Sequence, residues 1–480
     1  MNDVIVVGAG IAGSATAREL SRYNLSIEVI EAGYDVACGA TRTNSGIVHG
    51  GYDPEPGTLK AKYNVAGAYL IPEMSKELGF RYINNGSLVL ALEASQMPKI
   101  DELLERAVAN GIDGCKKLDS EEVLDLEPNV NPEVAGALYC PHSGICDPFG
   151  MCVAYAENAA VNGVKFTFNT RVETVEAIEG GYRLTLDNGE TRECKCVVNA
   201  AGVYAIDLHN QVSANKLESR PRKGEYELMS RSMGNTFSHV MFQAPGPKGK
   251  GVLISPTVEG NLIVGPDAVD GVDPEDTAST PEGLAWVVDQ AKNTWPTYNA
   301  RETIVNFAGV RPSGADGDFV VGEVEDAPGF FDIAAFDSPG LTSGPAVAVD
   351  VATWVAQKLD ATDNENFVSH RDMPLRFIEM DEEARSEAIE NNPKFAHIIC
   401  RCEQVTEAEV LDCIHAPIPA LSIVGIKRRC RAGTGKCQGG FCAPVVAEIV
   451  ARETGMGIDE VCLMGPGTEV APYKRENEII

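Results

Sequence analysis

Four cysteines near the C-terminal end of the chain have the residue type and spacing of metal ligands. Cys400 and Cys402 form a C-x-C pair in IICRCEQVTEAEV, and Cys437 and Cys442 form a C-x4-C pair in KRRCRAGTGKCQGGFC. Thiolates on two turns that are separated in the chain can converge on a soft metal centre. Zinc also accepts four thiolates, and Cys430 could replace one of the four, so both alternatives stay open on spacing alone.

The other end of the chain opens with the pattern of a dinucleotide cradle. Residues 4–7 predict a buried parallel strand, and Gly8, Gly10 and Gly13 follow it as G-x-G-x-x-G before a helix-compatible stretch. Gly8 permits the tight turn, Gly10 lets the backbone approach a pyrophosphate, and Gly13 allows close helix–strand packing. Glu31, at the end of the next strand, can accept hydrogen bonds from both ribose hydroxyls. Other predicted neighbours of the cofactor here are Ile11, Ala12 and Ala32.

Two later segments have the pattern of a buried strand followed by a turn of small residues. The stretch CKCVVNAAG, residues 194–202, ends in Ala200-Ala201-Gly202. Residues 330–359 run from a strand through a Ser-Pro-Gly turn into an amphipathic helix, which Thr342 or Ser343 can cap. A helix that only packs against a Rossmann sheet is the alternative interpretation of this last segment.

In this order, the three segments resemble the flavin-binding stretches of the FAD-dependent D-amino-acid-oxidase-like superfamily. That superfamily includes glycerol-3-phosphate dehydrogenases and L-2-hydroxyglutarate oxidases, and the resemblance covers about residues 1–375. It implies that the dinucleotide is FAD and that the last helix points its N-terminus at the flavin, where the reduced ring is anionic. The further residues that it assigns to FAD are Thr41, Asn44, Ser45, Gly46, Val172, Gly309, Gly340, Leu341 and Thr342.

Among the seven histidines, His49 has the setting of a functional residue. It lies in GATRTNSGIVHGGYD, residues 39–53, whose small residues suit close passage along a cofactor. An imidazole that titrates near neutrality can take the proton of a substrate hydroxyl. The segment resembles its counterpart in bacterial glycerol-3-phosphate dehydrogenases, and His49 is predicted as the base. A pocket wall or a hydrogen-bond donor to the flavin are the alternative roles.

Arg311, in FAGVRPSGADGDFVVG, is the predicted grip on an anionic substrate. A guanidinium binds carboxylate or phosphate bidentately, and the arginine of this G-x-R-P stretch faces the substrate anion in the resembled family. A structural ion pair is the alternative. Weaker basic candidates are Arg222, Lys223, Lys248 and Lys250. Of these, Lys250 joins His49 and Arg311 in the predicted catalytic set. For the lysines, solvated surface charge is the favoured alternative.

Residues 398–455 resemble the bacterioferritin-associated ferredoxin-like [2Fe-2S] domain, as it occurs fused to anaerobic glycerol-3-phosphate dehydrogenase. The resemblance includes RAGTGKCQGGFC and places Cys430 outside the ligand pair of that stretch. The ligand set it implies is Cys400, Cys402, Cys437 and Cys442. A zinc-bound docking domain is the weaker alternative. Basic side chains that would offset the charge of four thiolates are Lys427, Arg428, Arg429, Arg431 and Lys436.

Cys140, Cys146 and Cys152 recur every six residues in LYCPHSGICDPFGMC. A second metal site is one interpretation of this repeat. The uniform spacing fits no ligand template, so buried thiols at the start of a helix near 148–161 are the favoured prediction.

The bulk composition limits the function further. A chain of 480 residues with 44% hydrophobic content predicts two or three globular domains, and a net charge of −30 argues against a nucleic-acid partner. The sequence predicts no signal peptide and no transmembrane segment. With 14 cysteines that do not read as a disulfide scaffold, a reducing cytoplasm is the expected compartment, with peripheral attachment to a membrane only through a partner.

The predicted fold class is α/β and α+β: a Rossmann-like FAD-binding domain interleaved with an antiparallel-sheet substrate domain, plus a small helical [2Fe-2S] domain. The predicted division is an oxidoreductase over 1–375 (FAD-binding parts near 1–80, 145–210 and 308–375; capping parts near 81–144 and 211–307), a connector over 376–395, the cluster domain over 396–458 and a tail over 459–480.

The resemblance implies oxidation of sn-glycerol 3-phosphate to dihydroxyacetone phosphate. The electrons would pass through a [2Fe-2S] cluster to a redox partner, either a flavoprotein or a quinone-linked subunit. The alternatives are oxidation of an L-2-hydroxy acid, an amino acid or an amine, and a non-catalytic electron-transfer flavoprotein.

Overall fold

The computed structural model describes residues 1–245 and 251–470. Lys248 and Lys250, two of the predicted basic residues, lie outside the described residues. The strands are β1 (Asn2–Val7), β2 (Ile27–Ile30), β3 (Ile47–Val48), β4 (Tyr82–Ile83), β5 (Ser87–Ala91), β6 (Lys116–Asp119), β7 (Gly136–Cys140), β8 (Gly144–Cys146), β9 (Lys165–Thr167), β10 (Val172–Ile178), β11 (Gly181–Leu186), β12 (Thr191–Asn199), β13 (Arg222–Met229), β14 (Val240–Gln243), β15 (Leu253–Pro256), β16 (Leu262–Gly265), β17 (Val269–Asp270), β18 (Thr303–Arg311), β19 (Val320–Glu323), β20 (Phe330–Ala334), β21 (Ile398–Cys400) and β22 (Val405–Thr406).

The helices are α1 (Ile11–Leu20), α2 (Leu59–Leu78), α3 (Met97–Ala109), α4 (Ser120–Leu126), α5 (Pro148–Val161), α6 (Ala205–Val212), α7 (Pro281–Thr294), α8 (Gly340–Lys358), α9 (Glu382–Asn391), α10 (Glu407–Ile414), α11 (Ile423–Cys430) and α12 (Ala443–Thr454). Among the described residues, no helix combines the length and the apolar character needed to cross a bilayer.

The N-terminal strand lies inside an eight-stranded sheet, counted over the described residues, whose main path is β10-β11-β12-β1-β2-β9. β1 runs parallel to both β12 and β2, and β20 runs parallel to β12. Parallel strands end at the same edge of a sheet, so the turns that follow β1, β12 and β20 meet there. Three segments that are far apart in the sequence are therefore brought to one place.

Helices α1, α5 and α8 cover one face of this sheet and share its apolar core. On α6, His209 Nδ1 lies 2.6 Å from Asp332 Oδ2 of β20, and its Nε2 lies 2.8 Å from the backbone oxygen of Asn215. The hydrogen bond to Asp332 raises the pKa of His209. An imidazole with two hydrogen-bond acceptors therefore helps to hold α6 against β20.

A second sheet, of nine strands within the described residues, stands over the carboxyl edge of the first one. Its main path is β17-β13-β16-β15-β14-β5-β7-β6, and β18 pairs with β13. The β13–β18 register runs from Arg222 opposite Arg311 to Met229 opposite Thr303. Two arginines therefore face the same end of this sheet, at the junction with the dinucleotide-binding half.

The C-terminal module packs α10, α11 and α12 around its own apolar core with the short β21–β22 pair. Thr406 caps α10: its hydroxyl accepts from Glu409 N, and the Glu409 carboxylate accepts from Thr406 N, as the T-x-x-E pattern predicts. The preceding α9 segment packs onto the module through Phe377 and Phe395.

The predicted fold class is confirmed, and the residue boundaries of its domains stay a prediction. One local expectation is wrong. Neither Thr342 nor Ser343 caps α8, because the helix begins earlier, at Gly340, after Pro339. The Thr342 hydroxyl instead accepts from His49 N at 3.0 Å and contacts Ile47 O at 3.4 Å. The Thr342 hydroxyl, inside the first turn of α8, therefore binds the backbone of the Ile47–His49 loop and does not cap its own helix.

Candidate functional site

A cavity of about 1130 Å³ lies where the carboxyl edge of the parallel strands meets the nine-stranded sheet. Its size exceeds the roughly 300–1,000 Å³ of common small-ligand pockets, as an extended dinucleotide with a substrate beside it requires. Predicted residues that line it are Gly8, Gly10, Ile11, Ala12, Glu31, Ala32, Thr41, Asn44, Ser45, Val172, Ala200, Ala201, Gly202, Gly340 and Leu341, together with His49 and Arg311.

The glycines after β1 let the turn pack against neighbouring backbone more closely than any larger residue would allow. Gly8 has a φ of +99°, and a Cβ on it would lie 2.5 Å from Ala200 O. A Cβ on Gly13 would lie 1.9 Å from Gly8 O. Gly10 precedes α1 without a side-chain cap, and Ile11 N donates to Thr41 Oγ1 at 3.0 Å at the wall of the cavity. These features fit the pyrophosphate of a dinucleotide.

Glu31 fits the ribose end of the same cofactor. Its carboxylate accepts from Ala9 N at 2.7 Å and from Gly33 N at 2.6 Å, which fixes both oxygens at the wall of the cavity. Burial raises the pKa of Glu31, and the two backbone amides act against that rise. Each carboxylate oxygen keeps a free lone pair, so hydroxyl donors from a ribose can still bind there.

Four predicted cofactor residues do not line the cavity but shape its walls. Gly13 lies against Gly8, as described above. A Cβ on Gly46 would lie 2.7 Å from Cys146 O, and one on Gly309 would lie 2.0 Å from Thr43 Oγ1. Thr342 supports the loop that carries His49. Their small or hydroxylated side chains therefore set the path of the backbone around the cofactor space.

Hydrogen bonds to its backbone hold His49 in place. Its N donates to Thr342 Oγ1 at 3.0 Å, and its carbonyl accepts from Asn64 Nδ2 at 2.7 Å. Its ring stacks on Phe242, with the ring centroids 5.7 Å apart and the planes 25° apart. The imidazole is therefore positioned by α2, α8 and the nine-stranded sheet together.

Arg311 reaches the cavity from the end of β18, with Nη2 3.5 Å from the Tyr226 hydroxyl. No ion pair of Arg311 is seen among the described residues, but its charge acts on the nearby Asp267 carboxylate, and the structural ion pair stays an alternative. Its strand neighbour Arg222 also lines the cavity, but Asp270 engages it, with Nε–Oδ1 at 2.5 Å and Nη2–Oδ2 at 3.1 Å. Arg311 is thus a guanidinium that can meet an anion in the cavity, which Arg42 also lines.

Two expectations about the other basic residues need comment. Lys223 is buried, and its Nζ lies 2.8 Å from Asp276 Oδ2, so solvated surface charge was the wrong interpretation for it. Lys250 lies outside the described residues, and its predicted role stays a prediction.

Lys60 is a cavity residue that sequence reasoning missed. Its Nζ lies 2.5 Å from Asp337 Oδ1 and 5.4 Å from the centroid of the Phe319 ring. Asp337 also accepts from the Ser313 hydroxyl at 2.9 Å and directly precedes the turn into α8. This ion pair joins α2 to the turn that precedes α8. Its sequence signal was weak, because the two partners are far apart in the chain.

The four predicted metal-ligand cysteines come together as two pairs. Cys402 Sγ lies 3.9 Å from Cys437 Sγ, and the Cys400 and Cys442 thiols lie close enough that each shifts the pKa of the other. Cys400 and Cys442 are each 2% exposed, Cys437 is half-buried and Cys402 is exposed. Among the described residues, no three His, Cys, Asp or Glu side chains gather around one point as a single metal ion needs.

Two thiol pairs suit a centre with two metal ions better than one tetrahedral zinc. Cys430 is not part of either pair. Its thiol lies 3.4 Å from Ile426 O, and it packs with Cys413 inside the module core. The donor set therefore fits a [2Fe-2S] cluster with the ligands that were predicted.

The repeat of Cys140, Cys146 and Cys152 does not converge. The first two lie on β7 and β8, and Cys152 lies on α5, where its Sγ contacts Ala9 O at 3.5 Å. All three are buried, as the favoured interpretation predicts.

The cluster module packs beside the cofactor cavity. Both arms of the Arg429 guanidinium bind Asp35, with Nη1–Oδ2 at 2.6 Å and Nη2–Oδ1 at 2.8 Å. Arg428 lies over the Tyr34 ring at 5.5 Å and the Phe149 ring at 5.6 Å from their centroids. Tyr34 itself lines the cavity. Helix α11 thus connects the thiol-bearing turns to the wall of the flavin site.

Comparison with known proteins agrees with this geometry. The family model "FAD dependent oxidoreductase" (DAO) matches residues 3–354, and the model "BFD-like [2Fe-2S] binding domain" matches residues 398–452. The chain is 42% identical over 464 residues to a glycerol 3-phosphate dehydrogenase of Caloramator mitchellensis, covering 96% of each chain. It is 34% identical over 374 residues to a glycerol 3-phosphate oxidase of Mycoplasma pneumoniae, covering 76% of this chain and 97% of the relative.

A solved structure is also similar to this chain. Dithionite-reduced L-alpha-glycerophosphate oxidase from Mycoplasma pneumoniae, with FAD bound, superposes with a TM-score of 0.74 at 32% identity, covering 78% of this chain and 99% of that one. The chain therefore has an FAD-binding fold and a [2Fe-2S]-binding domain, and the cavity and the two thiol pairs are the predicted places for the two cofactors. The chain belongs to the FAD-dependent oxidoreductase family and joins that enzyme fold to a BFD-like [2Fe-2S] domain.

Proposed function

We propose that this enzyme oxidises sn-glycerol 3-phosphate to dihydroxyacetone phosphate and delivers the electrons to a protein or a quinone-linked acceptor. The observation that carries the proposal is the presence of His49 and Arg311 in one cavity with the nucleotide cradle. The names of the two relatives supply the substrate, because each acts on glycerol 3-phosphate. The second domain, with its one-electron centre, favours transfer to a separate acceptor.

Arg311 binds the phosphate of the substrate in this proposal. Its guanidinium can donate two parallel hydrogen bonds to a phosphate, and the Tyr226 hydroxyl at 3.5 Å restricts its position. The chain carries a net charge of −30, so a local cation is needed to hold an anion against the overall field. Arg222 is already engaged by Asp270 and contributes less.

His49 takes the proton of the C2 hydroxyl. Oxidation of the alcohol removes a proton from this oxygen and a hydride from C2, so a base at the hydroxyl favours departure of the hydride. The bonds to Thr342 and Asn64 and the stack on Phe242 keep the ring in place through the reaction. FAD held by the Gly8–Gly10 turn and Glu31 would supply the hydride acceptor, and a cluster held by the two thiol pairs would supply a one-electron outlet.

The direct test is anaerobic mixing of the purified protein with a panel of substrates while the flavin absorbance is followed. We expect bleaching by sn-glycerol 3-phosphate at concentrations where L-2-hydroxyglutarate, glycine and proline leave the spectrum unchanged. Bleaching by L-2-hydroxyglutarate alone would move the assignment to a 2-hydroxy acid, which one arginine serves equally well. No bleaching by any of them would support a non-catalytic electron carrier.

A matched pair of variants tests the role of Arg311. Arg311→Ala should raise the substrate concentration for half-reduction roughly thirtyfold or more, because loss of a charged hydrogen-bonded partner costs about 2–5 kcal/mol. Arg220→Ala, whose side chain is 60% exposed, should leave that concentration unchanged. Equal behaviour of the two variants would remove Arg311 from the substrate site.

A further inference from the structure

The thiols of the cluster domain differ sharply in their access to solvent. Cys400 and Cys442 are buried toward the module core, whereas Cys402 is exposed and Cys437 is half-buried. The Cys402–Cys437 pair therefore marks the edge of the cluster site that another protein can approach. Electron transfer between proteins depends on close approach of the redox centres, so an exit for electrons is expected at this edge.

An apolar side chain stands at the same edge. Phe441, directly before Cys442, is 84% exposed, a larger fraction than any other large apolar side chain of the described residues. Burying a phenylalanine side chain stabilises a structure, and this position lacks that stabilisation in the isolated chain. A single exposed apolar residue is common on protein surfaces and is no site by itself. Phe441 follows the Cys437–Gly440 turn, and its backbone lies next to the Cys437 thiol, so its ring stands beside the accessible pair.

Positive charges accompany Phe441. Arg401 lies between the two N-terminal ligands and is exposed, and Lys436 directly precedes Cys437 with 68% of its side chain exposed. Lys436 has one loose acidic neighbour, Glu302 Oε2 at 3.9 Å. On a chain with a net charge of −30, cations at this edge form a local exception to the overall field.

We propose that Phe441, Arg401 and Lys436 form the docking surface for a protein electron acceptor with an acidic face around its own redox centre. The aromatic ring would be buried in the contact, and the two cations would orient the partner's carboxylates over the Cys402–Cys437 edge. Each encounter transfers one electron, which oxidises this protein by one equivalent and reduces the acceptor by one. The proposal rests on the proposed function only in needing an outward electron path.

The overall charge and the local patch predict opposite salt effects, and this makes the proposal testable. The overall charge would repel an acidic acceptor, so its reduction would speed up as salt is added. The local patch attracts it over about one Debye length, roughly 10 Å at about 0.1 M salt, so its reduction would slow down. The sign of the salt dependence therefore distinguishes the two.

The experiment uses the full-length holoenzyme, reduced anaerobically with dithionite, so that it does not depend on the identity of the substrate. It is mixed in a stopped-flow instrument with the acidic haem domain of microsomal cytochrome b5, with basic mitochondrial cytochrome c, or with a neutral benzoquinone. We expect reduction of the acidic cytochrome to slow as ionic strength rises. Acceleration with salt, or no reduction of the acidic cytochrome at all, would overturn the proposal.

Variants locate the effect. Arg401→Glu/Lys436→Glu should slow reduction of the acidic cytochrome at least tenfold, the lower end of the roughly 10–10³-fold range of electrostatic steering. The same variant should not slow cytochrome c or the benzoquinone, and Phe441→Ala should slow the acidic cytochrome with its salt slope retained. Equal iron and sulfide contents in all proteins confirm that the cluster is intact.

Two control variants complete the design. Lys116→Glu reverses an exposed charge on β6, and Val108→Ala trims a side chain that is 69% exposed on α3. Neither should change any rate. A loss with the benzoquinone equal to that with the acidic cytochrome would also overturn the proposal. Failure of glycerol 3-phosphate to bleach the flavin would contradict the proposed function and leave these dithionite-driven results interpretable.

Discussion

The ion pair between Arg429 and Asp35 holds the cluster module against the flavin domain. The guanidinium makes two bonds to the carboxylate and two more, at 3.1 Å each, to the backbone oxygens of Gly425 and Ile418. The two side chains are only 6% and 4% exposed. Asp35 also follows Glu31 closely in the loop that borders the cofactor. Arg429→Met keeps much of the apolar stem and removes only the charged group.

The size of the effect follows from burial. Removing one partner of a buried pair leaves the other charge uncompensated and costs about 3–5 kcal/mol. If this energy is lost from docking of the module, the undocked population rises by about two to three and a half orders of magnitude. Asp35→Asn combined with Arg429→Met should recover part of the loss, because no buried charge then remains.

Hydrogen exchange of the α11 amides, read by mass spectrometry, measures this docking directly. Arg429→Met should lower their protection by about two orders of magnitude or more. Arg183→Met, which breaks an exposed arginine–glutamate pair, should change it by less than about tenfold, since such pairs contribute roughly 0–1 kcal/mol. Protection in Arg429→Met equal to that in Arg183→Met, or strict additivity in the double variant, would refute the reasoning.

Three further outcomes follow from the site. Gly13→Ala should purify without flavin absorbance, because the added methyl would lie 1.9 Å from Gly8 O. Cys402→Ser should lose iron and sulfide, whereas Cys430→Ser should retain both in colorimetric assays; iron loss from the second variant would contradict the ligand set. The raised pKa of His209 means that its charged form stabilises the fold fully below the unfolded value of about 6.5 and that this contribution is lost as pH rises through the raised value. His209→Gln should therefore lower the melting temperature more near pH 6 than near pH 9, and an equal loss at both would contradict the charge assignment.

The parts of the site that sequence reasoning found are those with local requirements. Gly8 and Gly13 are recognisable because only glycine fits a positive φ or a 1.9 Å approach, and these demands appear as spacing. The Thr406 cap is recognisable because its partner Glu409 lies three residues away. The cysteine pairs are recognisable because their spacing resembles that of a known domain.

The parts that sequence reasoning missed depend on contacts between distant residues. Thr342 is a residue type that often caps helices, yet its hydroxyl accepts a hydrogen bond from His49 N, which is 293 residues away in the chain. Lys60 reads as an ordinary surface lysine until Asp337 is placed beside it. Lys223 likewise reads as a surface lysine until Asp276 is placed beside it. In each case the role of the side chain depends on a partner that is distant in the sequence, and no local pattern predicts that partner.

The central claim is that electrons from one substrate reach both centres of a single chain. The most direct measurement is anaerobic addition of sn-glycerol 3-phosphate to the oxidised protein, followed by flavin absorbance and, on samples frozen over time, by the EPR signal of the reduced cluster. The account predicts that the flavin bleaches first and that the cluster signal grows afterwards without any added mediator. A bleached flavin beside a cluster that stays oxidised, although dithionite reduces it, would contradict the account.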